Sequence, residues 1–502
     1  MLRSTFLGYK TATSALRVNQ NMMDVVGQNI SNINTIGYTR QRLDINSVSF
    51  NTSNLKFGTN GVIIGQGVEA NGVSQFRDSF LDTRYRTEAS KSGSENIQLE
   101  ALRDLESILD EISMDGLDAQ FSDLLEQLHS LTSSPSDPVL EGVVRTSAEM
   151  LTQMFNDYSK QLDTIRNQQI SYLKDGAIVK VNQLTENIAK LNQQIRENNI
   201  SGNPALELND ERNMLIDELS SYLDIEVKLK PESIGGGKSI DVLSIELRGT
   251  SIELIANNKF VTLGIKEPIG GTVELQLTKD DGTITDINAS IKGGQIEGYL
   301  KILNGKGDFT TSTDNFEIAK GVQYYQSMLD TLANKFATEM NTLNGIPLFD
   351  ARDGGNITAG NIRIHPDWAD AIDSYILNTT LPPNGNDNSG ATDNLLRMIS
   401  KFSSKETFES STGKELFKGT FQEFLSFTTT RLNLQVSNVE TSFDTYTETM
   451  HQIDYARSSM SSVDLNEEGV NLLQYSKSYN AAARLMTTLD EMLETLINRM
   501  GV

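Results

Sequence analysis

No cysteine occurs in the 502 residues, which removes disulfides, thiolate metal sites and thiol nucleophiles together while leaving the compartment open. Histidine is nearly as scarce. His129, His365 and His451 are isolated, none has a second histidine at ligand spacing, and each reads as a surface or capping residue. Positive charge is in deficit: a net charge of −24 argues against nucleic acid or anionic membrane as a partner, because both require clustered Lys and Arg. No apolar run approaches the roughly eighteen residues of a membrane span, and the N-terminus carries no basic-then-apolar signal peptide. Proline is missing before Pro135 and after Pro383, so both flanks can run as uninterrupted helix while the breakers gather in the middle.

Nor does the chain carry a recognisable catalytic, cofactor or metal motif. The run Val62–Ala70 imitates a dinucleotide fingerprint, but Asn71-Gly72 interrupts where a helix must begin, so it reads as strand and turn. Gly237-Lys238-Ser239 resembles a phosphate loop by chance, with Glu232 where the first glycine belongs. Asp367, Asp370 and Asp373 could share a helix face, but without further oxygen ligands they read as a solvated surface.

The ends of the chain are patterned differently from its middle. Leu472, Tyr475, Tyr479, Ala482, Met486, Leu489, Leu493, Leu496 and Met500 recur at spacings of three and four, the a/d seam of a long helix. Leu2, Phe6, Tyr9, Leu16, Met23 and Ile30 form an answering seam at the other end, with a second stripe at Ala15, Met22, Val26 and Ile33. Leu473, Leu485, Met492 and Ile497 widen the C-terminal stripe beyond what one partner helix covers, and that surplus points to neighbouring subunits. Residues 1–50 carry five cations against two acids, and Asp464 to Met500 six carboxylates against three cations, so the two ends are complementary in charge.

Between them, helical spacing runs through Ile97–Ile112 and Phe121–Leu131, then from Pro138 to about Asn198 behind the cap signals Ser136-Asp137, with Gly176 its weak point. A shorter helix is expected over about Leu206–Leu223. From Asp224 the period switches to two, at Ile225, Val227 and Leu229, then Val242, Ile245 and Leu247, then Val273, Leu275 and Leu277. The expected fold is therefore multidomain and mainly α, with long coiled-coil-like terminal helices, a helical bundle and a β-rich insertion. Its divisions are 1–50 with 455–502 (terminal), 51–223 with 318–345 and 395–454 (helical middle), 224–317 (β-rich outer) and a loop-rich segment 346–394.

One local motif is more specific. Asn29-Ile30-Ser31-Asn32-Ile33-Asn34-Thr35-Ile36-Gly37-Tyr38-Thr39-Arg40-Gln41 resembles the signature closing the N-terminal helix of flagellar rod, hook and hook-associated proteins. Asn and Ser side chains can satisfy the helix end, Gly37 permits positive φ at the turn, and Tyr38 and Arg40 can anchor it to the layer beside it. Arg77–Asp82, Leu208–Ser220, Gly293–Leu300 and Ser462–Glu468 are similar to stretches of the hook-associated protein 1 family. Ile36 departs from the family's usual proline.

The resemblance implies a structural subunit of the hook-filament junction, not an enzyme. It implies copies of itself as partners, together with hook protein, the next junction protein (hook-associated protein 3) and a cytoplasmic export chaperone on the C-terminal helix. Export through the flagellar type III channel to an extracellular position, with no cleaved signal peptide, is implied as well. The assembly residues expected are the two seams together with Asn29, Asn32, Thr35, Gly37, Tyr38 and Arg40, and the termini are expected to order only among neighbours. A hook or rod protein shares the turn motif but usually lacks the helical middle at 139–198. A secreted coiled-coil scaffold explains only the heptads, and an enzyme with a catalytic β insertion is the third alternative.

Overall fold

The structure, a computed structural model, describes residues 5–48, 67–111, 116–235, 238–269, 271–380 and 390–499. The chain leaves through helices and returns through helices. Helix α1 (Thr5–Ser31) leads into an antiparallel hairpin, β1 (Gln41–Ser47) and β2 (Val68–Gln75), with a bulge at Asp44/Ile45. The dinucleotide-like run thus continues as strand from Val68, while 62–66 lie outside the described residues.

Helix α2 (Ser79–Glu111) begins eighteen residues before the apolar periodicity that announces it. Its first half is packed through small residues, so no apolar stripe betrays it. Ala89, Ser90, Ser92 and Ser94 are buried, and a Cβ on Gly93 would lie 2.2 Å from the Ser221 carbonyl oxygen. Helix α3 (Leu117–Leu131) and helix α4 (Pro138–Ser171) follow. Asp137 caps α4 as its sequence predicts, accepting a hydrogen bond from Val139 N at 2.9 Å, with Pro138 at the first helical position.

From α4 the helix continues without a break through a π-helical turn at Tyr172–Ala177 into α5 (Ile178–Ile200), about 95 Å in all. The π turn contains Gly176, and its widened turn rotates the apolar stripe. Leu162 and Ile165 before it belong to one core; Leu173 and Ala177 within it and Val181 after it belong to a second.

Helix α6 (Leu206–Tyr222) then delivers the chain to the β region. Strands β3 (Ile225–Gly235), β4 (Lys238–Leu247), β5 (Glu253–Ala256) and β6 (Lys259–Phe260) form one antiparallel sheet in that order. A second is formed by β7 (Thr262–Ile269), β8 (Thr272–Thr278) and β9 (Ile284–Asp286). Alternation holds where a face is covered: Val273, Leu275 and Leu277 are buried, whereas Leu229 on edge strand β3 is exposed. Lys238 opens a strand, not the helix that a phosphate loop requires.

After the sheets, the family-like stretch Gly293–Leu300 opens helix α7 (Gly294–Asn304), and α8 (Val322–Asn344) ends at Gly345 in the left-handed region. Within the loop-rich stretch lie the hairpin β10 (Phe349–Ala351) with β11 (Ile362–Ile364) and the one-turn helix α9 (Pro366–Ala369). Asp370 and Asp373 fall past the end of α9, so the three aspartates do not share a helix face. Helix α10 (Asp393–Ser403), the hairpin β12 (Glu406–Glu409) with β13 (Glu415–Gly419), and α11 (Phe421–Ser461) close the body. A capping box starts α11, with Thr420 and Glu423 each bonding the other's backbone N–H. After a three-residue break, α12 (Leu465–Arg499) returns along α1.

Both cores run lengthwise. The first packs α2, α3, α4, α8, α10 and α11 around Phe121, Phe155, Phe336, Phe402 and Phe421, whose rings meet mostly edge to face. The second joins α5, α6 and α7 to the inner faces of both sheets.

Candidate assembly interface

The end of α1 is closed by its own polar side chains. Ser31 Oγ donates to Gly27 O at 2.7 Å and Asn32 Nδ2 to Gln28 O at 3.0 Å, supplying donors to carbonyls at the helix end. Tyr38 N then donates to Thr35 O at 3.2 Å across Ile36 and Gly37, with Gly37 at φ 79°. A positive φ at the third position and a negative one at the second define a type II turn, which requires glycine at the former and favours proline at the latter. The turn sits tightly on α6, since a Cβ at Gly37 would fall 2.0 Å from Met214 Sδ.

Asn29 is the hub. Its Nδ2 donates to Gln41 O at 2.9 Å and to Glu468 Oε2 at 3.3 Å, and its Oδ1 accepts from Tyr38 Oη and Gln41 N, both at 2.9 Å. All four side-chain bonding positions tie the helix, the turn, the hairpin and α12 into one knot. Arg40 completes it, reaching Glu468 through Nε at 2.8 Å and Glu467 through both terminal nitrogens at 3.0 and 2.9 Å, while its N–H donates to Ser461 O at 2.8 Å. Burial alone would lower the Arg40 pKa, but the bonds to Glu467 and the charge of Glu468 raise it. The Tyr38 hydroxyl is held well above the usual phenol range by burial, then by Glu207, Asp210 and Glu468.

The knot is joined to the body by a chain of ion pairs. Thr39 N donates to Asp210 Oδ2 at 3.0 Å and Gln41 Nε2 to Glu207 Oε1 at 3.1 Å, both acceptors on α6. Arg77 bonds Asp82 at 2.6 Å, Arg86 bonds Asp217 at 2.7 Å, and Arg457 on α11 contacts Asp217, Asp82 and Asp454 while stacking over Tyr85 at 4.1 Å. Between the turn, α2, α6 and α11 lies a cleft of about 890 Å³. Ile36, 86% exposed, stands at its mouth.

The terminal helices α1 and α12 pack along each other within the subunit, the seam of one facing the seam of the other. They run antiparallel: Gly8 faces Leu489, and Asn29 at the other end bonds Glu468. Of the seam residues, Ala482 is buried, while Leu16, Met23, Ile30, Tyr475, Tyr479, Met486, Leu489 and Leu493 are half-buried and Tyr9 and Leu472 exposed. Ala12, Val18, Val26 and Asn29 are the buried line of α1. Phe6 and Leu496 fall on the helices with side chains outside the described set, and Leu2 and Met500 lie outside the described residues. Thr35 and Gly37 are exposed and Asn32 half-buried. Leu473, Leu485 and Met492, flanking the seam, remain 63%, 48% and 58% exposed.

Sequence reasoning missed Gln41, Glu207, Asp210, Asp217 and Arg457 as parts of this site. Four stretches singled out for resemblance, Asn29–Gln41, Arg77–Asp82, Leu208–Ser220 and Ser462–Glu468, nevertheless meet here, and their convergence was the available signal.

Both arms of this knot match family models of flagellar rod and hook proteins. Residues 10–39 match the flagella basal body rod protein model and 456–500 the flagellar basal body rod FlgEFG protein C-terminal model. Residues 102–356 match the flagellar hook-associated protein FlgK helical domain. Flagellar hook-associated protein 1 of Bacillus subtilis is 30% identical, with 100% of this chain and 99% of that protein covered. The Salmonella typhimurium protein of that name is 27% identical over 44% of this chain and 38% of its own length. The flagellar hook junction protein FlgK from Burkholderia pseudomallei shares the fold at TM-score 0.58 and 13% identity, over 75% of this chain and 100% of that one. The chain belongs to the FlgK family of flagellar hook-associated proteins, structural components of the hook-filament junction.

Proposed function

We propose that this chain forms the hook-filament junction by helical self-assembly through its terminal helices. One observation carries the reading: α1 and α12 cover each other only in part, leaving Tyr9, Leu472, Leu473, Leu485 and Met492 exposed in a single subunit. Apolar side chains left exposed at several points along one helix pair are the surface that a neighbouring subunit would cover. The terminal unit of this reading comprises 1–50 with 455–502, and the helical middle, the β-rich outer unit 224–317 and the segment 346–394 are carried outside it.

The partners are further copies, hook protein below and hook-associated protein 3 above. The subunit travels through the type III export channel to the outside of the cell, and before export a small helical chaperone covers the C-terminal stripe, so deleting residues 465–502 abolishes chaperone binding in a pull-down. The reading is tested by imaging flagella from a deletion strain. Hooks without filaments support it; normal filaments overturn it.

A further inference from the structure

The cleft between turn and body has no role in the knot itself. Its floor carries Met214, Phe443 and Met450, side chains that adapt to an apolar partner, and exposed Ile36 extends that surface outward. Among its lining residues, Asp210, Asp217, Glu218 and Asp454 outnumber Arg77 and Arg457. Glu218 is balanced only by a surface pair with Lys180, which is worth little. Asp210 is 5% exposed, and among the described residues its Oδ1 has Arg77 at 3.9 Å but no hydrogen bond of normal geometry. A helical turn with side chains fills on the order of 500 Å³ by its pitch and diameter, so about 890 Å³ holds nearly two.

A matching surface exists on the same chain. Lys10 and Arg17 stand seven residues apart beside Tyr9 and Leu16, a basic amphipathic stretch of α1. Lys10 and Arg17 are exposed and make no ion pair among the described residues. Their own cleft is out of reach, because Lys10 lies 21 residues of helix, roughly 32 Å, from the end of α1 at Ser31 where the turn begins.

We infer that the cleft receives the N-terminal end of α1 from a second copy, with Lys10 directed at Glu218 and Asp454 and exposed Tyr9 on Met214 and Met450. The contact is head-to-tail and does not close on itself, as an axial stack requires. It rests on the self-assembly reading but extends it to a surface outside the helical seams.

The absence of native cysteine makes the test clean. In flagella assembled from Lys10→Cys/Glu218→Cys protein, mild oxidation should give a ladder of cross-linked subunits, and replacing the first site by exposed Lys190→Cys should give none. Glu218→Lys should lower incorporation about three- to tenfold, with Lys10→Glu in the same chain restoring it and the melting temperature of both unchanged. Cross-linking no stronger than the control, or no rescue, overturns the inference. Normal filaments in the deletion strain would overturn the self-assembly reading instead, so the two failures are distinguishable.

Discussion

Arg40 Nε lies 2.8 Å from Glu468 Oε1, across 428 residues of chain, and the Glu468 side chain is 2% exposed. The pair fixes where α12 starts relative to where α1 ends, and both seams inherit their register from it. Glu468→Ala strips the acceptor from Arg40 Nε and Asn29 Nδ2 inside a desolvated knot. The expected loss is about 2–4 kcal/mol, localised to the terminal helices. Glu467→Ala removes the 57% exposed partner and should cost less than about 1 kcal/mol. Hydrogen exchange of α1 and α12 separates the two: equal protection in both variants would refute the ranking.

Ile36 and Gly37 make opposite predictions at one turn. The Ile36 N–H is not used in the turn's hydrogen bond, and the second position of a type II turn suits proline, so Ile36→Pro should stabilise by about 0.4–1 kcal/mol. Gly37→Ala meets both positive φ and Met214 and should destabilise by more than about 1 kcal/mol. Denaturant melts of the two variants moving in the same direction would show that the turn is of another type.

How far the sequence revealed this fold depended on which force organised each part. The α4 start, the capped long helix and the β8 alternation were all visible because apolar burial at a regular period made them. The first half of α2 was not, since Ser90, Gly93 and Ser94 pack by close backbone approach and carry no hydropathy signal. The knot fell between these cases: Asn29, Gly37 and Arg40 stood out as a motif, but the knot's acceptors, Glu207 for Gln41, Asp210 for Thr39 N and Glu468 for Asn29 and Arg40, are acidic residues on helices far away in sequence. The π turn at Gly176 looked like a weak point because its function, rotating the stripe between two cores, needs the second core to be known.

Glu141 is completely buried and accepts from Trp368 Nε1 at 3.0 Å, Ser374 Oγ at 2.6 Å and the backbone N–H groups of Tyr375 and Ile376. Those bonds hold the 366–376 loop on α4. Glutamine carries no charge and cannot accept them all, so Glu141→Gln should cost about 2–4 kcal/mol. Trp368 is the one tryptophan of the chain, and its fluorescence should shift to the red in this variant; an unchanged spectrum would mean the loop is held by packing alone.

Asp330 gives a pH signature. Burial, reinforced by Asp163 and opposed by the bond from Ala359 N, raises its pKa to about 6, above the ordinary value near 3.9. The folded state therefore binds the proton more tightly than the unfolded one. Its stabilising contribution is fully present below about pH 4 and is lost as pH rises through 6. Asp330→Asn keeps an oxygen for Ala359 N and should gain about 1–2 kcal/mol at pH 7.5, after allowance for partial exposure. The gain should shrink toward pH 4.5. A pH-independent difference in urea midpoints would contradict it.

The seam itself is the last test. Leu489 packs against Gly8 of α1, where no side chain intervenes, and Leu493 lies one turn further along the same half-buried line, which on the self-assembly reading a neighbouring subunit completes. Aspartate at these two positions would place charges in an apolar contact, at a cost of about 2–4 kcal/mol each. Thr495 is exposed, and its hydroxyl bonds only the Glu491 carbonyl of its own helix. Thr495→Asp adds a charge beside Glu491 and Glu494 and should cost less than about 0.5 kcal/mol. Because the seam is only half covered in one subunit, the loss in the double variant should exceed in assembly what melting of the purified protein shows. Motility and junction incorporation should therefore fail for Leu489→Asp/Leu493→Asp and persist for Thr495→Asp. Equal incorporation of both would mean that the C-terminal helix is not packed in the assembled junction, and the terminal seams would have to be read as serving the isolated subunit alone.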